Sequence, residues 1–449
     1  MFHRVFIANR GEVAARMVRA CQSLRIEAVC GASEADLDAN FAYLEEATDV
    51  ICLGPSTAAH SYLNMTAILQ AAKQSHCTAI HPGWGFLAEN ATFAALCEQH
   101  GLTFIGPSPS IMDQMGLKVA SREAAQAVGL PVVPGSDGPL HSPKEAIQVA
   151  KQLGYPIALK ADAGGGGRGI RRCDHEGEVK KAFADASNEA RAAFGNATLY
   201  MEKYLEGGRH IEFQVFGDGR GNAVHFGERE CSIQRRHQKL LEEAPSVALT
   251  SEQRDHYGEM SADATAAWNY AGAGTMEFLM APSGELFFLE MNTRLQVEHP
   301  VTEAITGLDL AQAQIQVAAG QSLPWAQENI SFSGHAIEVR INAEDPDQDF
   351  RPAPGTITEF QIEGEGIRVD THLQAGSKVS PHYDSLIAKV IAHGDTREMA
   401  TQRMIKALED AVIKGVPTTL GLHQRILKTN DFHSGEFDTL WLARWMATE

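Results

Sequence analysis

The sequence predicts a multidomain protein: a doubly wound α/β domain first, an α+β region in the middle, and a β-rich segment at the end. Three observations predict it. Short apolar runs alternate with helical patterns as far as "LTFIGPS", which is how parallel strands joined by helices read. The loop "LPVVPGSDGP" is punctuated by proline and glycine and marks a boundary. Beyond about residue 155 the strands come in pairs, with turn signals at Asp218-Gly219 and Ser283-Gly284.

The elements follow in order. "RVFIAN" reads as a buried strand, and Val13, Ala14, Met17, Val18 and Cys21 then recur at helical spacing. "DVICLG", "CTAIHPG" and "LTFIGPS" read as further strands, with helices over "SYLNMTAILQAAKQ" and "ATFAALCEQHG" between them. An alanine-rich helix, "LKVASREAAQAVG", precedes the boundary loop. Next come the strands "YPIALKAD" and "GIRRC" flanking a glycine run, then "TLYMEKYL", "HIEFQVFGDGRGNAVHFGERE" and "GTMEFLMAPSGELFFLEMN". A β-rich segment opens after about residue 330 with "GHAIEVRINAED", and the helix "TREMATQRMIKALEDAVIKG" closes the chain.

Composition bounds the function. A net charge of −19 argues against a nucleic-acid binder, which needs a basic face. Seven scattered cysteines, none in C-x-x-C spacing, argue against a zinc site or a disulfide framework. The apolar run at the N-terminus is too short for a signal peptide, and no stretch is long enough to span a membrane. The expectation is a reduced, cytoplasmic protein with no membrane partner.

The run "ADAGGGGRGI" matches G-x-G-x-x-G only nominally, because consecutive glycines satisfy almost any glycine pattern. A dinucleotide fingerprint leads into a helix, and a Walker A loop ends in Lys-Ser or Lys-Thr. "GIRRC" reads as a strand and offers neither. Two readings remain: a flexible linker, or a hairpin tip whose N–H groups cover a polyphosphate, with Arg168 adding charge. Lys160, on the strand entering the run, favours the second.

"ELFFLEMNTRLQVEHPVTE" carries most chemistry. On a strand, Glu290 and Asn292 share one face and can share a hard cation such as Mg²⁺. Glu277, in "GTMEFLM", lies across the predicted hairpin, its register open by a residue. Arg294, Gln296 and Glu298 continue the same period. An arginine suits a small planar oxyanion, and a glutamate beside it suits a general base. The alternative is a solvated edge-strand face. Gln234, Arg235, Arg236, His237 and Lys239 form a basic island, suited to phosphate or carboxylate or else simply solvated. Arg340 shares a strand face with Glu338 and Asn342, and either stabilises a developing anion or pairs with Glu338 or another acid. His81, His210 and Lys118 are ambiguous alone.

Taken together, "IANRGEVAARMVRAC", "HPGWGFLAEN", "FIGPS", "GGGGRG", "YMEKYLE", "CSIQRRHQK", "GTMEFL", "EMNTRLQVEHPVTE" and "INAED" resemble biotin carboxylase, the ATP-grasp component of biotin-dependent carboxylases, in order and over essentially the whole chain. The resemblance implies an N-terminal α/β domain (1–115), an ATP-grasp domain (116–325) with a mobile glycine-rich lid at about 132–203, and a C-terminal domain (330–445). It implies that Lys118, Lys160, Gly166, Gly167, His210, Gln234 and His237 meet ATP, with Glu202, Lys203, Tyr204 and Leu205 at the adenine. Glu277, Glu290 and Asn292 would hold Mg²⁺ or Mn²⁺. Lys239, Arg294, Gln296 and Val297 would seat bicarbonate, Glu298 would deprotonate it, and Arg340 would stabilise the biotin enolate. The glycines then read as a lid closing over the phosphates.

The implied activity is an ATP-dependent ligation: bicarbonate and ATP give carboxyphosphate, and biotin is carboxylated at its ureido nitrogen with release of ADP and phosphate. No biotin-attachment sequence of the "AMKM" type occurs, so the expectation is a separate biotin carboxyl carrier protein and a separate carboxyltransferase, or a domain cut from a longer enzyme. A homodimer is expected, with Arg16 and Arg19 at its interface. The family's usual tyrosine and serine in "HPGYGFLSEN" are Trp84 and Ala88 here, Leu117 replaces an aspartate, Ala163 the first of five glycines, and Asp162 a frequent serine. Two competing readings are another ATP-grasp ligase joining a carboxylate to an amine, which would not need "RLQVEHP" with Arg340, and a non-catalytic nucleotide-binding relative, which would have lost a metal or bicarbonate residue.

Overall fold

Five short strands open the chain: β1 (Arg4–Ile7), β2 (Glu27–Ser33), β3 (Asp49–Gly54), β4 (Ala79–His81) and β5 (Thr103–Phe104). They pair in parallel in the order β3-β2-β1-β4-β5, the doubly wound arrangement that alternating apolar runs and helices predict. The structure is a computed structural model and describes residues 1–162 and 170–448. Ala163, Gly166, Gly167 and Arg168, singled out from the sequence, therefore lie outside the described residues.

Asn9, two residues past the first strand, fixes the "HPGWG" loop. Its amide donates to the carbonyls of Pro82 and Trp84 at 2.6 and 2.8 Å. Gly83 in that loop has φ +64°, and a Cβ there would stand 2.3 Å from a Val13 methyl. Only glycine suits both demands. The helix predicted from Ser61 starts later, at Met65. Asn64 caps it by accepting from Ala67 N–H, and a cap residue is not helical itself.

The middle region holds two sheets. β6 (Ile157–Ala161), β7 (Ile170–Cys173) and β8 (Leu199–Lys203) form a small antiparallel sheet with Lys160 opposite Ile170. The larger sheet contains β9 (Arg209–Asp218), β10 (Ala223–Arg235), β11 (Gln238–Ala244), β12 (Ala271–Met280), β13 (Leu286–Asn292) and β14 (His335–Asn342). Its order is β13-β12-β9-β10-β11-β14, followed by the strands Leu386–Gly394 and Ile367–Thr371. Hydrogen bonding thus runs unbroken across residue 330, since β14 pairs with β11. The largest apolar core follows the same path, from Val5 and Met17 through Phe216 and Leu310 to Ile341 and Leu408.

Two sequence expectations need correction. β13 stops at Asn292, so Arg294, Gln296 and Glu298 do not continue a strand. They sit in a connection ending at the helix His299–Thr306. Pro300 ends the alternation, because proline cannot donate to a ladder but suits a first helical turn. The helix Arg397–Asp410 does not close the chain either: three short helices follow, the last being Trp441–Met446. Among the described residues no helix is long and apolar enough to cross a membrane.

Candidate active site

The β12–β13 pairing answers the open question of register. Glu277 lies directly opposite Glu290, and Thr275 opposite Asn292. Directly opposed side chains on an antiparallel pair stand about 5 Å apart at Cβ, so two carboxylates and an amide converge on one spot. Each carboxylate is met by a lysine. Lys118, at the start of the helix Lys118–Ala127, pairs with Glu290. Lys239 on β11 pairs with Glu277 at 3.0 Å. Burial favours the neutral acid, yet Lys239 and His210 outweigh it and hold Glu277 well below the usual carboxylate range. His210 approaches Glu277 at 3.2 Å. Burial would lower the imidazole pKa, but the charge of Glu277 raises it on balance.

Lys239 is the hub. Besides Glu277 it binds Glu212 and, at 2.7 Å, Glu298. Burial alone would strip its proton, and three carboxylates prevent that, raising its pKa well above normal. Glu298 is fully buried and also meets Arg340 at 2.9 Å. Burial raises its pKa, but Lys239, Arg340 and Arg229 prevail and pull it far down. It is therefore ionised, as a base must be, although the same cations weaken its basicity. Arg340 takes Glu242 (2.6 Å through Nε) and Glu298 as partners. The expected alternative of a pairing with Glu338 or another acid is met by these two other acids, whereas the strand-face neighbour Glu338 forms no ion pair with it.

Arg294 is fixed on three sides: Nε to Glu89 at 2.8 Å, Nη1 to Gln296 at 2.9 Å and Nη2 to Asn292 at 3.1 Å. A guanidinium held this way presents a fixed fork, the geometry that suits a planar oxyanion.

One cavity of about 840 Å³ collects these groups. Lys118, Lys160, His210, Gln234, His237, Lys239, Glu277, Glu290, Asn292, Arg294, Gln296, Val297, Glu298 and Arg340 all line it. Four expected residues do not. Glu202 is buried and pairs with Lys160 and, at 3.2 Å, Arg122. Lys203 donates to the carbonyls of Gly154 and Tyr155. Tyr204 stacks under Arg172 at 4.7 Å, and Leu205 is half-buried beside it. Of the basic island, expected at a phosphate or carboxylate site or else solvated, Gln234, His237 and Lys239 line the cavity, while Arg235 and Arg236 turn to Asp349, at 2.6 and 3.2 Å.

Sequence reasoning missed Glu212, Glu242, Glu89 and Arg229. Glu212 was within reach: it stands two residues after His210 and so shares its face. Fully buried Arg229 holds it from the far side at 2.6 Å and also binds Gln214, Thr275 and Thr302. Glu89 comes from a distant element and carries no local signal, and Glu242, on the strand of Lys239, finds Arg340 only through the pairing of β11 with β14.

Comparison with known proteins agrees along the whole chain. Residues 1–112 match the family model for the biotin carboxylase N-terminal domain, residues 118–326 that for the carbamoyl-phosphate synthase L chain ATP-binding domain, and residues 338–444 that for the biotin carboxylase C-terminal domain. A biotin carboxylase from Nostoc sp. is 49% identical over 98% of both chains. The biotin carboxylase domain dimer of Hydrogenobacter thermophilus 2-oxoglutarate carboxylase, solved with MgADP, ADP and bicarbonate, superposes with a TM-score of 0.94 at 49% identity, covering 99% of this chain and 98% of that one. Campylobacter jejuni biotin carboxylase, in a β,γ-ATP complex, gives 0.95 at 44% identity, with 99% of each chain covered. With its fold, its cavity and all three parts of the sequence in agreement, the chain belongs to the biotin carboxylase family.

Proposed function

We propose that this cavity carboxylates biotin, using ATP and bicarbonate and releasing ADP and phosphate. One observation carries the reading: a single cavity holds three lysines, an opposed carboxylate pair with an amide, a clamped arginine, and a buried glutamate shared by Lys239 and Arg340. Glu277, Glu290 and Asn292 fit a magnesium or manganese ion, being hard oxygen donors converging on one spot. When bound there, the metal neutralises phosphate charge during transfer. The lysines Lys118 and Lys160 take the ATP phosphates, and His210, Gln234 and His237 border them. Glu202, Lys203, Tyr204 and Leu205 border the adenine from outside the cavity wall.

Arg294, Gln296, Val297 and Lys239 seat bicarbonate. Glu298 takes its proton, and attack on ATP gives carboxyphosphate. Arg340 faces the enolate oxygen of biotin, where preorganised positive charge lowers the barrier. Biotin arrives on a biotin carboxyl carrier protein and leaves for a carboxyltransferase, both separate chains. The working form is a cytoplasmic homodimer, as the dimeric Hydrogenobacter domain supports. Arg16 is spent inside the chain, on Glu303 at 2.9 Å and Asp309 at 2.7 Å, and half-exposed Arg19 faces the partner.

ADP release from MgATP tests the reading. Turnover should require bicarbonate and rise with free biotin, and Arg340→Ala should lower the biotin-dependent rate by about a hundredfold or more. Turnover indifferent to bicarbonate and biotin would overturn it.

A further inference from the structure

Residues 293–298 lack both a ladder and a helix to hold them, yet they carry the groups assigned to bicarbonate. β13 ends before them and the next helix begins after them. Apart from turn bonds that the Gln296 and Glu298 carbonyls accept from His299 and Val301 N–H at 3.3 Å, side chains fix their backbone. Glu89 accepts from Thr293 N–H at 3.0 Å, and His299 Nδ1 lies 2.8 Å from the Gln296 carbonyl. The Val297 carbonyl accepts from Lys389 Nζ at 3.0 Å.

Lys389 is a fully buried lysine on the strand Leu386–Gly394. It stands directly opposite Arg340 on one side and Asp370 on the other, so all three share one face of the sheet. Its ammonium is 2.9 Å from Glu12 and 3.7 Å from Asp370. The Trp84 ring lies 4.9 Å away, in cation–π range. That ring is positioned by the Asn9–Trp84 carbonyl bond, and it also contacts His299, at 5.6 Å between rings. Four elements thus fix one nitrogen: the helix Gly11–Ser23 through Glu12, the "HPGWG" loop, the strand Ile367–Thr371, and the connection carrying Val297. Burial would discharge the amine, and Glu12 and Asp370 keep it charged.

Stability alone does not call for this arrangement. Buried ion pairs are often no better than well-packed apolar side chains. What an apolar residue cannot do is donate to the Val297 carbonyl. We propose that Lys389 is a positioning residue for the bicarbonate step, fixing the peptide between Val297 and Glu298 so that the Val297 backbone and the Glu298 carboxylate meet bicarbonate together. Trp84 and Glu12 hold the lysine in place. The inference rests on reading Gln296–Glu298 as the bicarbonate segment.

The test is steady-state ADP release by the full chain, varying bicarbonate at saturating MgATP and then the reverse. Lys389→Met is combined with Glu12→Gln so that no carboxylate is stranded. Loss of a charge-assisted hydrogen bond that aims bicarbonate groups should raise the bicarbonate KM about tenfold, with the MgATP KM within about twofold. Partial unfolding lowers the active fraction and leaves KM alone, so the two effects separate. A double variant that melts like the wild type and keeps the wild-type bicarbonate KM overturns the inference. If the double variant does not fold, Glu12→Gln alone, which keeps the lysine and the side-chain volume, is measured the same way. About a threefold rise in bicarbonate KM is then expected, and an unchanged KM overturns the inference. Wild-type turnover indifferent to bicarbonate removes the underlying reading before any variant is made.

Discussion

Glu338 carries a carboxyl that no group in the sheet pairs. It is fully buried, and among the described residues neither oxygen has a hydrogen-bond partner. It lies opposite Glu242 on β11, while Arg340, two residues on, binds Glu242 and Glu298 instead. Burial pushes its pKa well above the usual carboxylate value, against the pull of Lys389 and with the help of Glu242. The sign of its effect on stability follows. Between the usual carboxylate pKa and the raised one, the folded protein holds a proton that the unfolded chain has lost. The contribution is full below the usual value and is lost as pH rises through the raised one. Glutamine copies the neutral form and removes this dependence. Glu338→Gln should therefore melt with the wild type at pH 4 and above it at pH 8, by about 2 °C or more. Thermal unfolding across that range is the measurement. A difference that does not grow with pH would mean that Glu338 is ionised and stabilised in the folded protein.

At the scale of elements, the β10–β11 hairpin shows how a loop outside the cavity shapes it. Arg236 and His237 at its tip have φ of 49° and 66°. Left-handed backbone costs a side-chain-bearing residue about 1–2 kcal/mol, so the turn needs outside support. A second turn supplies it, with Asp349 and Phe350 at φ of 53° and 59°. Arg235 stacks on the Phe350 ring at 3.9 Å and donates to the Asp349 carboxylate and carbonyl. Asp349 is three-quarters exposed, and such ion pairs contribute little. Phe350, 6% exposed, carries the contact. Phe350→Ala should cost about 3 kcal/mol of stability and raise the KM for MgATP more than that for bicarbonate, because the hairpin presents Gln234, His237 and Lys239. Equal rises in both KM values would mean the disturbance reaches the whole cavity.

Across the whole molecule, what the sequence disclosed and what it hid divide by contact range. Glu277 and Glu290 were legible together because one Ser-Gly turn joins their strands. The parallel α/β class followed from local alternation, although the strand Glu27–Ser33 and the order of the sheet did not, and Glu298 and Arg340 stood out through the crowded motifs around them. Glu89, Glu12 and Lys389 were hidden, since each reaches the site from an element far away in sequence and looks like an ordinary surface charge on its own, and Glu242, though on the strand of Lys239, meets Arg340 only through the pairing of β11 with β14. Arg16 belongs to this second group. The family resemblance put it at a dimer interface, but its side chain is 7% exposed and bound to Glu303 and Asp309. Glu303 is shared in turn with Arg368 at 2.7 Å, which binds Asp370. This network joins the N-terminal helix to the far edge of the large sheet. Removing one partner leaves buried charge uncompensated, at a cost of about 3–5 kcal/mol. Arg16→Met should thus lower the unfolding free energy of each chain by about 3 kcal/mol, whereas Arg19→Glu, altering a half-exposed group, should change it by less than about 1 kcal/mol and weaken self-association instead. Denaturant unfolding, with sedimentation of both variants, separates the two. If Arg16→Met dissociated the dimer while each chain kept its stability, the network would belong to the interface, and the N-terminal domain would depend on some other contact to stay docked.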